Sequence, residues 1–144
     1  MVRLAAVMLV LALSGISATA CRESAEDVRG RLGDHEVFSL LPGSRVLESA
    51  CFAGDAFSAP RCRQWVAVSG GVDEIKAAYE QRFLDEGWEL VCECQESSPF
   101  VLGLVMRNSS HRFSVSFMPG AAYYEPLEPG ENLVLSILVS DRKD

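Results

Sequence analysis

The chain has 144 residues, 49% of them hydrophobic and 23% charged. That suffices for one domain with a modest core and is too apolar for a chain disordered throughout. The net charge of −7 at pH 7 argues against a nucleic-acid partner, because a phosphate backbone is met by clustered Lys and Arg.

Residues 1–20 have three parts. Arg3 gives a short positive start, Leu4 to Leu13 is an apolar run, and Ala18-Thr19-Ala20 is a small-residue cleavage site. This is the layout of a secretory signal peptide. The apolar run is too short to span a bilayer, which takes about twenty residues. Cleavage falls before Cys21. The small residues ahead of that cysteine resemble the lipobox of bacterial lipoproteins, although Ala18 stands where that family usually has Leu. The resemblance implies that the Cys21 thiol is acylated and that the lipid holds the domain on a membrane surface without spanning it. Cysteine parity agrees. Of the five cysteines, removal of Cys21 leaves Cys51, Cys62, Cys92 and Cys94, an even set that can pair fully in an oxidising compartment.

Residues 21–37 are polar and mixed in charge, and they read as a tether, with a short surface helix as the alternative. The folded domain is expected over 38–144. Pro42-Gly43 is a turn, followed by a strand over 45–52. The loop "AGDAFSAP" joins it to a second strand over 62–69. "GGVDEIKAAYEQRFLDEGW" predicts a helix. Val72, Ile75, Ala78, Tyr79 and Phe83 share one face, and Gly87 stands at the position of a left-handed C-terminal cap. Lys76 with Glu80, and Arg82 with Glu86, are spaced for ion pairs on its outer side. Strands follow over 88–94, 100–107, 111–118 and 133–140. In "HRFSVSFM" the alternation marks one buried and one wet face, whereas "LVLSILV" suits a central strand. The expected class is α+β: one main helix on an antiparallel sheet of about five or six strands.

Tyr79, Phe83, Gly87 and Trp88 form Y-x3-F-x3-G-W, and Leu41-Pro42-Gly43-Ser44 forms the turn ahead of it. Over residues 41–118 the chain resembles small bacterial secreted and lipoprotein domains of unknown function with a Y-x3-[LF]-x3-G-W helix end. The resemblance implies an envelope domain and carries no catalytic residue with it.

Cys51 and Cys62 flank the first hairpin loop and are placed to bond across it, with a pairing of either to Cys92 or Cys94 as the alternative. Cys92 and Cys94, two apart on a strand, are expected on one face together with Leu90 and Trp88. A direct bond between them is strained by its spacing and hence more easily reduced. Two thiolates plus His35 or His111 do not make a structural zinc spacing, so disulfides are preferred to metal. Ser110, His111 and Asp141 lack a G-x-S-x-G elbow, and no P-loop or dinucleotide fingerprint implies a cofactor. The connection 119–132 is long. Tyr123, Tyr124 and Leu127 make it a candidate partner-contact loop, or else a cover for the sheet edge. The expectation is an exported envelope protein, lipid-anchored or else secreted, with a binding or structural role toward an envelope protein or small ligand. A thiol-redox or metal role for Cys92 and Cys94 is the alternative.

Overall fold

The computed structural model describes residues 22–142. The expected signal peptide and Cys21 lie outside them. Ser24 starts the first helix, α1 (Ala25–Leu32). Its hydroxyl accepts from the Asp27 amide at 3.1 Å, and the Asp27 carboxylate accepts from the Ser24 amide at 2.9 Å. This reciprocal box satisfies amides that a helix start leaves unpaired. Val28 and Leu32, one turn apart, are fully buried, as is Val37. All three belong to the main core. The stretch expected as a tether is therefore built into the domain from residue 25 onward. Its polar composition hid this, because eight residues need bury only two side chains. So short a helix is marginal alone and forms by packing, here against the first two strands.

Six strands follow: β1 (Arg45–Phe52), β2 (Arg61–Val68), β3 (Glu89–Cys94), β4 (Leu102–Arg107), β5 (His111–Pro119) and β6 (Leu133–Asp141). The second helix, α2 (Val72–Asp85), lies between β2 and β3. The sheet is antiparallel throughout, in the order β1-β2-β6-β5-β4-β3. This confirms the α+β class. β6 is interior and buried on both faces over Leu133–Ile137, as its apolar run predicts. On β5, Phe113, Val115 and Phe117 are buried. They line up with Val139, Ile137 and Leu135 of β6 to make the helix-side face.

α2 buries Ile75, Tyr79 and Phe83, while Ala78 is exposed. Tyr79, Phe83 and Trp88 pack with Phe113, at ring-centroid distances of 6.3 Å for Tyr79–Phe113, 4.6 Å for Phe83–Phe113 and 5.0 Å for Trp88–Phe113. The buried Tyr79 hydroxyl donates to the Val37 carbonyl at 3.2 Å. The helix ends as expected at Gly87, with φ +84°. The Gly87 amide reaches the Leu84 carbonyl at 3.0 Å, and the Trp88 amide reaches that of Phe83 at 2.9 Å. These two bonds and the Phe83–Trp88 ring contact at 5.2 Å make a Schellman ending. The Arg82–Glu86 pair forms at 2.6 Å. Lys76 instead bonds Glu93 of β3 at 2.8 Å, because docking brings a cross-element partner closer than Glu80.

Two register shifts matter. In β3 the pairing slips between Leu90 and Cys92. Leu90 stands opposite the buried Met106, whereas Cys92 and Cys94 stand opposite Val105 and Gly103. The expectation that both cysteines share a face with Leu90 and Trp88 is thus corrected: the bulge turns them to the outer face, away from the helices. A second shift lies between Val46 and Glu48 of β1. Past it, Cys51 is directly opposite Cys62, and the two form a disulfide.

Replacing Leu32 by Ala should cost about 2–5 kcal/mol of stability, the range for truncating a buried leucine; a tether residue would leave the urea midpoint unmoved. The double variant Cys51→Ser, Cys62→Ser should lose about 2–3 kcal/mol, read as a lowered urea midpoint that matches the reduced wild type.

Candidate binding face

Both described helices pack on one side of the sheet, so among the described residues only loops cover the outer side. β2 alternates cleanly there. Cys62, Val66 and Val68 point to the core, while Arg61, Arg63, Trp65 and Ala67 point outward. Outward positions on β6 are Val134, Ser136, Leu138 and Ser140, and on β5 they are Arg112, Ser114, Ser116 and Met118.

Two loops roof half of this face. Residues 95–101 bring Phe100 to Trp65 at a ring distance of 6.0 Å. Phe100, expected in a strand, is in this loop because β4 begins at Leu102. Residues 120–132 bring Tyr123 to Trp65 at 6.2 Å and to Tyr124 at 4.5 Å. Under this roof Ala67, Met118 and Val134 are buried. Tyr124 stays 74% exposed. A cleft of about 270 Å³ lies along Glu48, Trp65, Met118, Tyr123 and Tyr124.

The long loop is held from below. Arg45 grips Glu131 through two bonds at 2.9 and 2.7 Å. Asn132 brackets Gly70, accepting from its amide at 2.9 Å and donating to its carbonyl at 2.8 Å. A side chain on Gly120 would place its Cβ 2.5 Å from Leu127, so glycine there permits the loop to close on itself. Tyr123, Tyr124 and Leu127, singled out from sequence, line one groove of about 590 Å³. The structure adds that Tyr123 also covers the sheet, so contact and covering functions fall to neighbouring residues. Trp65 and Phe100 were not singled out; the alternation of "RCRQW" marks Trp65 as facing Arg63's side, but nothing local says what meets it.

The remaining candidates separate. Cys92 and Cys94 meet through their sulfurs on the outer face of edge strand β3. Neither His35 nor His111 joins them, and among the described residues no group of three metal-ligating side chains forms. His111 Nε2 lies 3.8 Å from Asp141, but Arg31 holds both Asp141 oxygens, at 2.6 and 2.7 Å. Ser110 is in the turn closed by Asn108, whose side chain accepts from the Ser110 and His111 amides at 2.8 and 2.7 Å. Among the described residues no hydrogen bond joins Ser110 to His111, so these three do not assemble as a hydrolytic triad. No protein-family model matches the chain, and neither curated proteins nor solved structures give a match. The site is therefore defined by its own geometry.

His35 is half-buried between Trp88 and His111, at ring distances of 5.9 and 5.3 Å. Its Nδ1 accepts from the Val37 amide at 3.2 Å. Burial lowers its pKa below the ordinary value of 6.5, the nearness of His111 lowers it further, and Glu86 opposes weakly. Protonation therefore favours the unfolded chain. Stability should be full above pH 6.5 and fall as pH drops through the depressed folded value. Urea midpoints measured at pH 7.5 and pH 5.5, which bracket the usual histidine value of about 6.5, should differ in the wild type and differ much less in His35→Gln. An equal difference in both proteins would assign the effect elsewhere.

Proposed function

We propose that this chain is an exported envelope protein, lipid-anchored through Cys21, whose single domain binds a ligand or partner on its outer sheet face rather than catalysing a reaction. The observation that carries the binding role is Trp65 set between Phe100 and Tyr123 beside a cleft, with Tyr124 exposed at its rim. Aromatic side chains with one free face are good anchors, because they offer large contact area with few rotatable bonds. Support for export comes from the order of residues 1–20, from the small residues before Cys21 and from the even count of the remaining cysteines. The Cys51–Cys62 bond fits an oxidising compartment.

A thiol-redox role for Cys92 and Cys94 is the second reading. One observation favours it: both sulfurs sit on the outer face of an edge strand, where neither cysteine is fully buried.

The intact mass of the mature protein, purified from its exporting host and alkylated without reduction, tests both. Acylated Cys21 with no alkylated thiol is the expected result. A soluble chain with alkylated Cys92 and Cys94 would sink the preferred reading and make that pair the first site to assay for redox or metal chemistry.

A further inference from the structure

The half of the outer face that the loops leave open carries three arginines that, among the described residues, have no carboxylate partner. Arg61 and Arg63 project from β2 and Arg112 from β5. In register, Ser140 of β6 stands between Arg61 and Arg112, and Leu138 between Arg63 and Ser114. Among the described residues no Asp or Glu lies within salt-bridge distance of these three guanidinium groups. Arg107 stands directly opposite Arg112 and pairs with Glu89 at 3.1 Å. Like charges directly opposite destabilise a sheet. A chain of net charge −7 has carboxylates enough to answer them, yet among the described residues none pairs with these three arginines.

Two further features sharpen the point. The Nε of Arg63 is buried without a hydrogen-bond partner. A buried charged donor left unpaired is costly, and an anion meeting the accessible part of the half-exposed Arg63 side chain would offset that cost. A cleft of about 380 Å³ also lies against Arg112, Ser114, Leu138 and Ser140, within the range of small-ligand sites. Glu96 forms part of its wall, with its carboxylate held by the Ser116 hydroxyl at 2.8 Å. That charge confines an anion to the Arg112–Ser140 end. Two residues from Arg63 on the same face of β2 is Trp65, so the cationic half adjoins the aromatic cluster.

We infer that the outer face binds an oxyanion group at Arg63, Arg112 and Ser140, with the flat apolar part of the same ligand resting against Trp65. The group is a phosphate, sulfate or carboxylate, borne either by a soluble aromatic compound or by a lipid headgroup. Guanidinium forks suit such groups because they donate two parallel charge-assisted bonds. This inference rests on the binding role proposed for the outer face and names the ligand class.

The test follows the arginine Nε–H signals of the isotope-labelled full chain by NMR. Phenyl phosphate and neutral benzyl alcohol are titrated separately. Sedimentation with phosphatidylglycerol and with phosphatidylcholine vesicles supplies the lipid arm. Arg112 is exposed and stands opposite Arg107, so R112Q should fold with a urea midpoint no lower than that of the wild type. The expected result is saturable binding of phenyl phosphate that shifts the Arg63 and Arg112 signals and weakens about tenfold or more in R112Q, as loss of one charge-assisted bond predicts. Sedimentation with phosphatidylglycerol alone, lost in R112Q, supports the same site with a lipid headgroup as source. Equal binding of phenyl phosphate and benzyl alcohol, unchanged in R112Q, overturns the anion site while leaving an apolar binding face. Silence of every anionic probe overturns it too. The export and lipid-anchor reading stands or falls separately, on the intact mass.

Discussion

Phe83 is where two constraints of different range meet. Its carbonyl accepts the Trp88 amide that ends α2, and its ring packs on Trp88 and Phe113. The first is a local condition, met because Gly87 takes a positive φ that other residues adopt only with strain. The second joins that helix end to β5, near the middle of the sheet. Together they set the angle at which the chain leaves α2 and enters β3, and they decide which face of the sheet becomes core. Tyr79 extends the same cluster one turn earlier and ties it to Val37 through its hydroxyl. The segment after α1 is thereby held against the helix that follows β2.

Committing both helices to one face leaves the other without a covering layer. An antiparallel sheet tolerates this when its second face is polar, and here that face is mixed. Ser114, Ser116, Ser136 and Ser140 run across its centre, with Trp65 and Met118 toward one end and arginines toward the other. The apolar end is roofed by the loops 95–101 and 120–132; the charged end stays open. The boundary between them is where an aromatic surface, hydroxyl groups and guanidinium groups come within reach of one ligand. The loop 120–132 is pinned by the Arg45–Glu131 fork and the Asn132 bracket. A roof held in place costs less ordering when something binds beneath or beside it.

The helix side of that same charged end of the sheet gathers charges of another kind. Arg31 joins Glu23 to Asp141, and so fastens the start of the described chain to the last strand. Exposed pairs of this sort contribute little singly, but this fork unites segments more than a hundred residues apart in sequence. His35 and His111 sit beside it, next to Trp88. The α1 attachment and the histidine pair therefore share one neighbourhood, close to the aromatic cluster that organises the core.

Local patterns determined much of this protein. Periodicity of three to four residues placed α2 and its buried face, Gly87 marked its end, alternation placed β5, and a continuous apolar run placed the interior strand β6. The placement of Cys51 and Cys62 about their hairpin made that pairing the preferred one, with Cys92 and Cys94 left open as other partners. Those features depend on neighbours within a few residues, so the chain displays them directly. What depended on distant partners was legible only in part or not at all. The helix α1 was legible only as a surface alternative to a tether, because its two core residues acquire meaning only when β1 and β2 supply a surface. The face taken by Cys92 and Cys94 was inverted by a one-residue slip in β3, and a slip of one exchanges the two faces of a strand. Trp65 and the row of arginines were visible as residues of one β2 face, yet their role followed from which strands lie beside β2 and which loops fold over it. That is settled by helix docking on the opposite side, a tertiary event that no window of the sequence contains.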